Sequence, residues 1–238
     1  METAYIAVDL ETTGLDPKRD KIIEIGAVKI ENGKETAAFH TMVQPYRLLE
    51  ERVCQITGIR DEDLAEAPGI DQVIGQFLEF AGDLPLAGHH VIFDYSFLKR
   101  AAVNQKLDFE RRGIDTLGLA RKFMPQEEKK NLAAACAYFG ISQETHHRAL
   151  ADARAASRLL EKMKEDYGEK SPDSFVPVPL IYKVKREQPA TKLQKEHLQD
   201  LLKYHKIALT VQIEHLSRNE ISRITDKIIS QYGRIRKR

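Results

Sequence analysis

AYIAVDLETTGLD, residues 4–16, places two carboxylates, Asp9 and Glu11, at the end of a short apolar run. The run's length and its Ile/Val content suit a buried strand. Residues two apart on a strand share a face, so both acids point the same way. An ionised carboxylate in such surroundings is costly unless it is paired or binds a metal. No basic residue follows until Lys18. Thr12-Thr13-Gly14 then turns the chain and would leave backbone amides for a ligand. The same pattern, taken alone, also fits two acids at a strand end that simply reach solvent.

Outward from this segment, residues 21–30 read as a second strand. Glu31-Asn32-Gly33-Lys34 is a hairpin signal, and residues 37–44 form a third strand. Three strands in succession predict an antiparallel meander. Helical spacing follows at 48–57 and 70–80, then a short strand at 84–88 and a helix from about Asp94 to Asn104. A strand near Ile114 and helices at about 116–123, 131–138 and 149–166 complete this region. Strands first, then strands alternating with helices, predict an α/β layered domain with a mixed sheet.

Two further segments carry candidate chemistry. In Gly88-His89-His90-Val91-Ile92-Phe93-Asp94, the aspartate falls near a helix N-terminus, where negative charge is favoured; a plain N-cap would look the same. In His147-Arg148-Ala149-Leu150-Ala151-Asp152, five residues of helix would turn about 140° beyond one full turn. His147 and Asp152 therefore cannot share one helix face. His147 is placed on the loop and Asp152 in the helix's first turns, so both can approach one site. A surface histidine with a solvated aspartate is the plain alternative, and His146 competes for the histidine's place.

Asp9-x-Glu11, Asp94 within His-x-x-x-Phe-Asp, and His147-x-x-x-x-Asp152, in that order, resemble the DEDDh 3′→5′ exonucleases. The likeness is to the proofreading exonuclease subunit or domain of bacterial replicative DNA polymerases (the epsilon-like exonuclease of DNA polymerase III). Ile23-Glu24-Ile25-Gly26-Ala27-Val28 and Ile56-Thr57-Gly58-Ile59 add to it. The resemblance spans roughly residues 3–166 and does not reach residues 190–238. It implies an RNase H-like fold, with a mixed five-stranded sheet flanked by helices. It also implies removal of mononucleotides from a 3′ end, with Asp9, Glu11, Asp94 and Asp152 as ligands to two Mg²⁺ or Mn²⁺ ions and His147 as general base. The backbone near Thr12 and Thr13 would hold the terminal nucleotide. Leu15 would pack on the terminal base and Phe97 would line the same pocket, unless either is ordinary core. One departure is His90, where the family commonly has Asn; it lies near the site and bears on substrate fit. Single-stranded or 3′-end DNA is the expected substrate, with a polymerase or repair complex as partner. RNA 3′ exonucleases of the same superfamily and a non-catalytic nucleic-acid-binding module are the rival readings.

The domain plan that follows is residues 1–167 as the exonuclease domain, 168–190 as a linker with four prolines, and 191–238 as a basic two-helix accessory module. Residues 190–238 hold 11 Lys/Arg against 5 Asp/Glu, a net +6, and the remaining 26 against 31 give −5. That asymmetry points to nucleic acid or an acidic partner, although a solvated helical hairpin would also fit. Thr191 with Gln194 and Ser217 with Glu220 predict capping boxes at the two helix starts. No run approaches the roughly 20 apolar residues of a membrane span, and the first residues lack a signal-peptide pattern. Cys54 and Cys136, without metal-type spacing, fit a reduced compartment. A cytoplasmic location and no membrane partner are expected.

Overall fold

The computed structural model describes residues 3–142 and 148–235. Six strands form one sheet in the order β3-β2-β1-β4-β5-β6. β1 (Ala4–Thr12), β2 (Ile22–Glu31) and β3 (Lys34–Met42) are the antiparallel meander. Asn32 and Gly33 both take positive φ, 52° and 74°, as a two-residue primed turn requires. β4 (Leu86–Gly88) and β5 (Arg112–Asp115) then add parallel to β1. β6 (Val178–Pro179) closes the far edge, antiparallel to β5.

The expected sheet had five strands, and the sixth is the correction. β6 is two residues long and ends in proline, inside the segment read as a linker. Its short ladder lies on an edge, the place where a sheet tolerates a residue with no N–H. The expected linker also holds a 3₁₀ turn, Pro172–Phe175, whose Phe175 is fully buried.

The helices are α1 (Glu51–Thr57), α2 (Asp61–Leu64), α3 (Ile70–Ala81), α4 (Val91–Asn104), α5 (Thr116–Phe123), α6 (Leu132–Tyr138) and α7 (Ala149–Tyr167). α4 starts three residues before the expected point, which puts Asp94 in its first turn rather than at its cap. Period-two alternation along β1 builds two cores. Ile6, Val8 and Leu10 face α3 and α4, joining Ile74, Phe77, Tyr95 and Leu98. Tyr5 and Ala7 face the other way, joining Leu159, Leu160 and Met163 of α7. Asp9 and Glu11 continue the second series, so the strand that builds the core also aims both acids at α7.

Residues 1–45 and 49–184 form one compact unit, and residues 46–48 with 185–238 form another. In the second unit α8 (Lys192–His205) and α9 (Arg218–Tyr232) pack through Leu198, Leu201, Leu216, Ile221 and Ile228. Both expected capping boxes are present, Thr191 with Gln194 and Ser217 with Glu220. The helices do not form a hairpin. Pro189 bridges Ser217, and Arg218 N donates to Gln188 O at their starts. At their ends His205 Nε2 lies 3.0 Å from Gly233 O. They therefore run in parallel, and residues 206–217 carry the chain back between them. Lys195 Nζ, donating to Glu214 O at 2.8 Å, ties that return to α8. Glu220, buried at the start of α9, pairs with Arg47 at 3.5 Å, and Tyr46 stacks on His215 with ring centres 3.4 Å apart.

Candidate active site

Gly26 explains how the acids meet. In the β1–β2 register it stands opposite Asp9. A side-chain carbon at Gly26 would collide with the α7 backbone at Ala149 and Leu150. The missing Cβ lets the helix start directly against the sheet. Asp152, in the first turn of α7, then reaches Asp9 and Glu11. One carboxylate oxygen from each of the three lies within 4.8 Å of the others.

Asp94 enters from the opposite layer. It is 3% exposed, and its Oδ1 accepts the Leu10 amide at 3.1 Å. That bond fixes the first turn of α4 to the strand position between the two β1 acids. Gly88, at the end of β4, lets Val8 O approach closely where the chain turns into α4.

Like charges crowded in a poorly solvated site resist ionisation. Burial, then the carboxylates of Asp94, Asp152, Glu11 and Glu24, hold Asp9 well above the usual carboxylate range. Burial also raises Asp94, offset by the hydrogen bonds from its own amide and that of Leu10. Burial, then Glu24 and Asp152, push Glu11 up to about 7, with Arg148 working the other way. The donor set is all hard oxygen, and its unbalanced negative charge suits a divalent cation such as Mg²⁺ or Mn²⁺. The residues present therefore fit the metal that the motif implies.

Glu24 had no assigned role in the sequence, yet it organises one wall of the site. It is fully buried, stands opposite Glu11 in the ladder, and accepts the Ala149 amide at the start of α7 at 3.2 Å. Arg148 Nη2 donates to it at 3.1 Å, and His40 Nε2 lies 2.6 Å away. The signal was an ionisable residue inside the apolar run KIIEIGAV. Its partners lie up to 125 residues away, beyond any local pattern.

His147 and His146 lie outside the described residues. Thr13 departs from expectation: its amide donates to Lys21 O at 2.9 Å, so it is not open to a ligand. Its hydroxyl accepts the Lys21 amide at 3.0 Å, and Thr12 Oγ1 donates to Gly14 O at 2.7 Å. These bonds stiffen the turn. Leu15 stands 84% exposed at its tip, which rules out core packing for that side chain. Phe97 is the reverse, 3% exposed in the core, with Phe93 5.0 Å away between it and His90. His90 caps α4 with φ 77° and donates its amide to Asp115 Oδ1 at 2.8 Å. Positive φ favours Asn and tolerates His better than most side chains, which accounts for the histidine at a position where the family commonly has Asn. His89 braces rather than binds, with Nδ1 3.0 Å from Thr116 Oγ1 and Nε2 2.7 Å from Lys130 O.

A mixed sheet flanked by helices, with acids gathered at the ends of its first strand and two helices, defines an RNase H-like exonuclease architecture. The exonuclease family's sequence profile matches residues 6–160, and this chain belongs to that family. PolC-type DNA polymerase III of Clostridium perfringens is 37% identical over 166 residues, covering 68% of this chain and 12% of the polymerase. That of Bacillus subtilis is 38% identical over 172 residues, with 71% and 12% covered. The chain thus spans about an eighth of the length of these relatives. Among solved structures, Exonuclease X in complex with 5′ overhanging duplex DNA superposes with a TM-score of 0.57 at 25% identity, over 72% of this chain and 99% of that one. Exonuclease I, at 0.62 and 16%, shares the fold over 73% of this chain and 42% of its own. Among the described residues no helix is long and apolar enough to cross a membrane.

Proposed function

We propose that this chain removes 5′-mononucleotides from DNA 3′ ends, with two Mg²⁺ or Mn²⁺ ions held by Asp9, Glu11, Asp94 and Asp152. The carrying observation is the convergence of Asp9, Glu11 and Asp152 within 4.8 Å, from elements far apart in the chain. When bound, the cations would lower the pKa of an attacking water and offset charge on the departing 3′ oxygen. His147 is assigned the general base's role, since a histidine side chain can take up the water's proton near neutral pH. Glu24 acts through position: it anchors Arg148 and the first amide of α7, and so sets where Asp152 stands. Leu15, rigidly presented by the Thr12–Thr13 turn, packs against the terminal base. Thr12 and Thr13 shape the nucleotide's seat through their hydroxyl-braced backbone, with His90 at its rim. Phe97 contributes from beneath, by backing Phe93.

DNA as substrate is supported by the PolC relatives and by the DNA-bound Exonuclease X. The same kinship supports a role in replication proofreading or repair, beside a polymerase and in the cytoplasm. Residues 191–238 serve as an accessory module to the exonuclease domain. The test is a gel time course on 5′-labelled single-stranded and 3′-mismatched DNA, with Mg²⁺ or with EDTA, beside a matched RNA. Stepwise shortening from the 3′ end of DNA, abolished by EDTA, is expected. Faster loss of RNA would move the assignment to an RNA exonuclease. Binding without cleavage would make the chain a non-catalytic module.

A further inference from the structure

The parallel arrangement of α8 and α9 brings both helix C-termini to one end of the second unit, and that end has an unusual makeup. The last turns of the two helices and the residues just past them, 201–206 and 227–235, contain no Asp or Glu, but they hold Lys203, Lys206, Lys227 and Arg234. Among these cations lie three rings. Tyr204 meets His205 edge to face with centres 4.8 Å apart, and His205 meets Tyr232 at 5.7 Å. Tyr204 is 48% exposed and Tyr232 is 57% exposed. His205, bonded to Gly233 O, fixes the spacing between the two helices' rings.

We propose that this end is a second contact for single-stranded nucleic acid, with Tyr204 and Tyr232 stacking on bases and Lys203, Lys206 and Arg234 meeting phosphates. The choice of occupant rests on the exonuclease reading above and on the chemistry of the surface itself. Helix C-termini attract cations by their own dipoles, which accounts for some of the charge. It does not account for two tyrosines left half-exposed beside that charge. Rings interleaved with cations are what sequence-tolerant strand binding uses, since every base offers a face to stack on and every linkage a negative charge. The contact lies wholly outside the acidic cluster, so it adds grip on the strand without adding to the chemistry.

The test measures binding of a fluorescein-labelled oligo-dT to the full chain in EDTA, across a salt series, with nuclease activity assayed separately in Mg²⁺. Y204A/Y232A should weaken binding roughly tenfold per ring and leave the salt slope unchanged. Y204F/Y232F, which keeps the rings, should bind like the parent. K203Q/K206Q/R234Q should reduce the slope of log affinity against log salt by about 2, from about 0.7 per phosphate contact. Photocrosslinking of a bromodeoxyuridine oligonucleotide to the unmutated protein should give adducts at Tyr204 or Tyr232, and needs no variant to fold. Folded variants with parental affinity and slope overturn the proposal, as do adducts confined to residues 1–184; a protein partner would then be the better occupant. Parental binding at this surface with no cleavage in Mg²⁺ would instead overturn the exonuclease reading and leave this contact standing.

Discussion

At the scale of single residues, the acidic cluster trades stability for chemistry. Glu11, moved from its ordinary value up to about 7, stabilises the folded chain only while protonated. That contribution is complete below about 4.5 and is lost as pH rises through about 7. A divalent cation binds the deprotonated carboxylates, so its effect should run the other way. The Mn²⁺-induced rise in Tm should be clearly larger at pH 8 than at pH 5, measured by thermal unfolding. Asp9→Asn should lose roughly a thousandfold in kcat, the scale of a lost metal ligand, while its Tm in EDTA at pH 8 equals or exceeds that of the parent. A lower Tm there would mean that Asp9 is satisfied within the protein and is not held for a cation. Glu24→Gln tests positioning. It weakens the contacts with Arg148, His40 and the α7 amide, and should cost about 2 kcal/mol with a fall in kcat larger than any change in KM. These acids differed in how plainly the sequence displayed them. Asp9 and Glu11 stood out because carboxylates are foreign to an apolar strand. Glu24 lies in an equally apolar strand but was given no role, because that role depends on partners across the fold. Leu15 and Phe97 could not be sorted by type, because exposure is decided by the turn and the helix that carry them.

At the scale of elements, α7 is the piece whose placement matters most. Its approach to the sheet is possible only over Gly26, where the nearest atoms are backbone and cannot swing aside. Gly26→Ala should therefore destabilise by about 3 kcal/mol and displace Asp152. Loss of activity with Tm unchanged would show that the helix docks elsewhere. The meander, α5 and α7 were legible because hydrophobic period and turn chemistry are local: Asn32-Gly33 announced the first hairpin, and residues 149–166, rich in alanine, announced α7. β6 was not, since two residues ending in proline carry no strand signal and gain their ladder only from β5. The parallel course of α8 and α9 was equally hidden. Two amphipathic helices joined by a short return read as a hairpin, and only the contacts at both ends, Gln188 with Arg218 and His205 with Gly233, reveal the direction.

At the scale of the whole molecule, the two units keep separate apolar cores, with Leu198, Leu201 and Ile221 belonging to the second alone. Ser217→Ala removes a cap at the start of α9 and should cost about 1 kcal/mol, expressed in the second unit. Hydrogen exchange should show faster amides in residues 192–232 and unchanged protection along β1 and β2. A uniform loss would mean that the chain unfolds as one body. The crowding of Asp9, Glu11, Asp94 and Asp152 has a consequence for the lifetime of the protein. Stripped of divalent ions at neutral pH, the molecule should be held back by its own acidic cluster, so that the unmutated chain opens more often than Asp9→Asn. Trypsin added to both should digest the unmutated form sooner, and a trace of Mn²⁺ should reverse that order; cation supply would then set how long each copy survives.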